Sequence, residues 1–268
     1  MRDLTTTVDG SGRARVPTIP DWSIVTSDSA KRALEDIFKA GRWDWRLAGI
    51  DPYSARVLAA VLRLYAANGR PPSVPELVAQ VPMAEMAMTE LLDRLASHDL
   101  VLLGPDRTSL LGAYPFIERV TGHAVTFERT GKTLNTMCAI DALGAGAMCR
   151  DNLSIRSTCR FCDHDIIAEI TDQGMTLQKI RPADAVVWVG LRESCGCAAD
   201  TLCTELLLFC SDDHLTRWRS DGHGSDGHVL TAQDGFEVGK ALFIDRAMMS
   251  GRGLRAPAVD SADQTARR

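Results

Sequence analysis

Cys138 and Asp141 stand three residues apart in Asn135-Thr-Met-Cys-Ala-Ile-Asp-Ala-Leu143. The run reads as the start of a helix. That spacing puts thiol and carboxylate on one face, close enough to meet. A second thiol, Cys203, lies in an apolar, strand-like run over residues 200–209. Two thiols and a carboxylate that converge make a site for a soft metal with a proton to move. The competing reading is that both cysteines are small buried hydrophobes, which is how most free cysteines behave.

All eight cysteines (138, 149, 159, 162, 195, 197, 203 and 210) lie in the second half of the chain, so thiol chemistry belongs there. Cys159-x-x-Cys162 followed by Cys195-Gly-Cys197 could close a four-thiolate zinc site. Two alternatives stand beside it. The four are unpaired loop thiols, or Cys195 and Cys197 pass metal outward by thiol exchange. Cys149 and Cys210 read as core. His223 and His228 sit in a Gly-rich stretch and read as solvent-exposed, because a metal site needs three or more convergent ligands.

The elements that must position these residues follow from periodicity and caps. Residues 27–39 have helical apolar spacing, and Trp43 and Trp45 would pack that helix onto the next unit. Pro52 opens a helix through Val57, Leu58, Val61, Leu62 and Tyr65, closed at Asn68-Gly69. Ser73-Val-Pro-Glu76 is a capping box for a short second helix. A third helix spans about 84–97, with Met88, Leu91, Leu92 and Leu95 inward, and a hairpin over about 100–111 follows. Three helices and a hairpin make a winged-helix-like unit. Strands are predicted at 121–130, 154–157, 165–171, 185–190 and 202–209. Helices are predicted from Cys138 to about 148, from 214 to 218 and from 232 to 249, with a surface loop at 220–227. The fold class is α+β. A mobile tail (1–25) leads to a winged-helix-like N-terminal domain (26–118), then a mixed or antiparallel β-sheet catalytic domain with flanking helices (119–250) and a second mobile tail (251–268).

Composition bounds the function classes. The chain has 268 residues, a net charge of −5, 45% hydrophobic and 24% charged residues, which suits a globular protein with a sizeable core. No apolar run reaches the roughly 18 residues of a membrane span, and residues 1–20 lack the apolar centre of a signal peptide. A cytoplasmic location is expected. The third helix of the winged unit carries three acids and one arginine, so phosphate contacts are poorly served and a nucleic-acid partner is not expected.

The two cysteine segments carry a resemblance. Met-Cys138-Ala-Ile-Asp141-Ala-Leu143 looks like the first catalytic segment of the alkylmercury (organomercurial) lyase family. Leu-Cys203-Thr-Glu-Leu-Leu-Leu-Phe209 is similar to that family's second cysteine segment, and Gly235-Phe-Glu-Val-Gly239 resembles its near-terminal helix start. The resemblance runs from about residue 55 to 250. It implies carbon–mercury bond protonolysis, with Cys138 and Cys203 as mercury ligands and Asp141 as proton carrier. A hydrocarbon and Hg(II) held by the two cysteines would be the products. It also implies that Cys159 is structural and that the winged-helix-like part packs on the catalytic domain without a DNA role. Where some relatives carry Cys-Cys, this chain has Cys203-Thr204, and Cys162, Cys195 and Cys197 have no evident counterpart. No cofactor is required for catalysis on this reading, apart from the structural zinc considered above. The expected partners are the organomercurial, small thiols and a mercuric reductase receiving Hg(II), as in mercury resistance. Two alternatives remain: an enzyme on the same scaffold with another substrate, and a metal-responsive winged-helix regulator bound to DNA.

Overall fold

The computed structural model describes residues 20–48, 50–192, 196–224 and 226–243. Its helical half is set by its caps. Ser27 accepts the Ala30 amide to start α1 (Asp28–Ala40), and α2 (Trp43–Ala48) follows directly. Asp51 accepts the Tyr53 and Ser54 amides to start α3 (Pro52–Asn68), which stops at Gly69 with φ of 74°. Ser73 and Glu76 form the capping box of α4 (Val74–Gln80). On α5 (Glu85–Ser97), Met88, Leu92 and Leu95 are buried. The hairpin β1 (Val101–Leu103) and β2 (Leu110–Ala113) completes the winged-helix-like unit.

Hydrogen bonding does not stop at residue 118. β2 pairs with β3 (Phe116–Ile117), which pairs with β5 (Thr133–Thr136). With β4 (His123–Phe127), β6 (Leu153–Thr158), β7 (Asp165–Thr171) and β8 (Thr176–Arg181) they form one eight-stranded antiparallel sheet, in the order β1-β2-β3-β5-β4-β6-β7-β8. The hairpin is therefore an edge of the same sheet whose middle strands support the thiols. A second sheet, β10-β9-β11, is built from β9 (Val186–Gly190), β10 (Leu206–Phe209) and β11 (Gly227–Thr231).

Between the two sheets lies α6 (Ala139–Cys149), touching β4, β6 and β10, with all eleven of its residues buried. A helix apolar all round must be enclosed on all sides, and Asp141 is the one charge it carries inside. The enclosing helix is α8 (Ala232–Phe243), which crosses at Gly144 and Gly239. A Cβ on Gly144 would lie 2.4 Å from the Gly239 carbonyl oxygen, so only glycine permits this approach.

Four sequence expectations need correction. Residues 202–209 are not one strand. Leu202–Glu205 is a 3-10 turn, held by the Thr201 hydroxyl on the Cys197 carbonyl and the Thr204 hydroxyl on the Thr201 carbonyl, and only Leu206–Phe209 pairs. Residues 20–25 are not a tail. The Asp21 amide donates to the Ala241 carbonyl at 3.0 Å, Val25 is buried, and the Thr26 amide and hydroxyl both donate to Glu237 on α8. β8 was not expected, because its mostly exposed face pattern shows no apolar alternation. β11 was masked by its Gly-rich approach. The remaining tail residues (1–19 and 251–268) and the end of the predicted last helix (244–249) lie outside the described residues. Among the described residues, no helix is long and apolar enough to cross a membrane.

Candidate active site and a second thiol cluster

Cys138 follows β5 and is the residue from which α6 starts. Its backbone is extended (φ −154°, ψ −179°), and its Sγ accepts the Asp141 amide at 3.4 Å in the place a serine cap usually fills. Asp141 is thus in the first turn, where the helix dipole favours a carboxylate. Cys203 arrives from the 3-10 turn before β10, a strand in contact with α6. Cys138 Sγ, a carboxylate oxygen of Asp141 and Cys203 Sγ all lie within 4.8 Å of one another, and all three residues are buried. The three residues singled out in sequence are brought together.

The electrostatics of this group favour a protonated Cys138. Burial pushes the Cys138 thiol well above the usual range, and the hydrogen bond with Cys203 and the nearby Asp141 carboxylate push it further. Its amide contact at the helix start pulls the other way and loses. The Cys138 proton is therefore held as S–H at the place where a soft ion would displace it.

The sequence did not point to the residues behind Cys203. Arg46 on α2 is fully buried, paired with Asp99 and stacked 4.7 Å over the ring of Tyr114. Asp99 also accepts the Ala198 amide at 2.9 Å, which ties the loop before Cys203 to the helical half. Burial, then the proximity of Cys203, pushes the Tyr114 phenol well up, so it remains a neutral O–H. A charge within an aromatic run, Trp43-Asp-Trp-Arg46, was the available signal.

The other cysteines arrange themselves differently from expectation. Cys195 lies outside the described residues. Cys197 does not join Cys159 and Cys162. Its thiol bonds to Asp99, and burial together with that carboxylate raises it to about 12. Here it lines a cleft of about 480 Å³ with Arg42, Arg107 and Arg119. The partners of Cys159 and Cys162 are instead Cys210 and His214, with one ligand atom from each within 4.8 Å of the others. Cys210, read from sequence as core, is half-exposed, because β10 ends there and α7 (Asp212–Ser220) turns away. Cys149 is buried as expected. His228 is half-buried and bonded to Asp36 on α1 at 2.8 Å, and His223 stacks on Trp218; among the described residues neither joins a metal-ligating group.

Three similarities to known proteins bear on family and fold. Residues 116–244 match the family model described as alkylmercury lyase, MerB. An alkylmercury lyase of Staphylococcus epidermidis is 24% identical over 176 residues, covering 66% of this chain and 76% of its own. A crystal structure of the mercury-bound form of MerB2 matches 82% of this chain and 100% of its own with a TM-score of 0.64 at 19% identity, a likeness of fold.

Proposed function

We propose that this chain, which belongs to the alkylmercury lyase family, cleaves carbon–mercury bonds by protonolysis at Cys138, Asp141 and Cys203. The observation that carries the reading is the convergence of two buried thiols and one buried carboxylate within 4.8 Å at the start of α6. Thiolates are the softest donors a protein has, and a soft ion is what two of them can share.

The substrate arrives as an organomercury bound to a small thiol, R–Hg–SR′. One cysteine displaces the small thiol from mercury, and the proton of that cysteine leaves with it as R′SH. The second cysteine then binds mercury. Coordination makes its S–H strongly acidic. Asp141 accepts this proton and delivers it to the carbon attached to mercury, forming the C–H bond as the C–Hg bond breaks. The balance is R–Hg–SR′ plus two Cys–SH giving R–H, R′SH and Hg(II) on two cysteine sulfurs. No electrons are gained or lost. The high thiol range of Cys138 serves this scheme, because a neutral thiol brings the proton the carbon needs. Excess small thiol then releases Hg(II) by exchange, and a mercuric reductase is a fitting receiver. Such a reaction belongs in a cytoplasm, where free thiols are kept reduced.

The regulator reading is disfavoured by α5. Arg94 is engaged by Asp51, and Asp93 is bound to Arg107 from the hairpin, so the face a DNA reader would use has no spare cation on that helix. Incubation with methylmercury or phenylmercury and excess small thiol, with methane or benzene measured, tests the proposal. Hydrocarbon release well above the protein-free rate is expected; none above it would overturn the reading.

A further inference from the structure

We propose that Cys159, Cys162, Cys210 and His214 form a closed structural zinc site that ties the β6–β7 turn to the end of β10. The inference does not depend on the lyase reading.

The geometry matches tetrahedral zinc before any ion is added. Zinc–sulfur bonds of about 2.3 Å and zinc–nitrogen bonds of about 2.0 Å place tetrahedral ligands about 3.8 Å apart for two sulfurs and about 3.5 Å apart for sulfur and nitrogen. The Cys162 and Cys210 sulfurs are 3.9 Å apart, and Cys159 Sγ is 3.6 Å from His214 Nδ1. The donor set of three thiols and one imidazole, without a carboxylate, is that of a structural zinc site.

The backbone prepares the first ligand. The turn Cys159-Arg-Phe-Cys162 closes with the Asp163 amide on the Cys159 carbonyl at 2.9 Å and the Cys159 amide on the His164 carbonyl at 2.8 Å. Asp163 takes φ of 56° to complete it. The turn aims amides at sulfur: Cys210 donates to Cys159 Sγ at 3.3 Å, and Phe161 and Cys162 add further amide bonds. The amides of Cys210, Phe161 and Cys162 and the His214 ring thus converge on this one sulfur. His214 is held by its own helix start, its amide donating to Ser211 Oγ, and its ring packs on Phe161. Four protein ligands leave no open position for substrate, so the role is structural.

The placement gives the site a purpose. The Arg160 amide bonds the Leu208 carbonyl at 3.1 Å, so the turn already touches β10. Cys203 stands just before that strand and Cys210 just after it. A metal at Cys210 would pin one end of the segment whose other end carries Cys203.

The full chain, purified without chelator, should hold about one zinc by elemental analysis. Cys162→Ser and His214→Ala should each lose most of it, while Cys138→Ser and Cys203→Ser keep it. Cobalt exchanged into the wild-type chain should give intense visible bands of tetrahedral cobalt with a thiolate charge-transfer band. Chelation should lower the Tm by several degrees. Four results would overturn the proposal: well-folded protein that stays metal-free after zinc loading; a Cys162–Cys210 disulfide in its place; zinc lost on Cys203→Ser; or this cluster taking up Hg(II) while zinc does not bind.

Discussion

Two thiol clusters stand at the two ends of one short segment, and they differ in what surrounds the sulfur. At Cys138, Asp141 and Cys203 everything is buried, a carboxylate is included, and the Cys138 thiol is driven up and stays protonated. At Cys159, Cys162, Cys210 and His214 the carboxylate is replaced by an imidazole, the cluster reaches the surface, and amide donors bring the Cys159 thiol down to about 7 against its burial. The same side chain is thereby prepared for opposite tasks. The proposed proton-delivering site keeps the Cys138 thiol neutral beside the Asp141 carboxylate. The proposed zinc site offers three sulfurs and an imidazole and no carboxylate, with amides aimed at the Cys159 sulfur.

The strongest way to break this comparison is to remove a sulfur from each cluster. Cys138→Ser or Cys203→Ser should cut hydrocarbon release by roughly 1,000-fold or more, the scale on which removing one member of a cooperating catalytic set acts. Cys162→Ser should cost far less activity, and that loss should follow its loss of stability. Equal catalytic losses in both clusters would erase the distinction. Asp141→Asn comes next, with a fall of roughly 100-fold or more expected for lost general acid–base catalysis.

A smaller effect tests how α6 is held. Gly144→Ala places a methyl 2.4 Å from the Gly239 carbonyl, so α6 and α8 must part. Overpacking of this kind costs about 1–3 kcal/mol, read as a Tm lowered by several degrees. Activity should fall with it, because the same helix carries Asp141, while zinc content should not. An unchanged Tm would show that the close crossing is not required.

The mildest test is the order of alkylation by iodoacetamide at neutral pH. A thiol raised well above the usual range has little thiolate there, so Cys138 should react last whether or not chelator is present. The exposed Cys162 should react first after chelation and be protected before it. Peptide mapping by mass spectrometry reads both. Early modification of Cys138 would contradict the protonated-thiol description.

The two clusters were not equally legible in the sequence. Cys138 is the N-cap of α6 and Asp141 lies in its first turn, so their three-residue spacing brought them together, and capping residues marked both ends of α3 and the start of α4. Cys203 was placed in the right contact but on the wrong element, because Leu202–Glu205 is turned by the Thr201 and Thr204 hydroxyls, which an apolar run conceals. The second cluster was half legible. Cys159-x-x-Cys162 is a local motif, but its partners lie across a sheet contact. The spacing Cys210-x-x-x-His214 was the missed signal, outweighed by the more conspicuous Cys195-Gly-Cys197. The buried pair Arg46 and Asp99 joins residues 53 apart in sequence, and no periodicity marks it.

The central claim is that Asp141 moves a proton between thiol and carbon while the two sulfurs hold the metal. It is tested most directly by giving wild-type and Asp141→Asn protein one equivalent of phenylmercury, with excess small thiol, and measuring bound mercury and released benzene in the same sample. The account predicts one benzene per mercury from the wild type. From the variant it predicts mercury bound as tightly, with benzene appearing roughly 100-fold more slowly. Benzene released by Asp141→Asn at the wild-type rate, or mercury binding lost together with benzene in a folded variant, would contradict it.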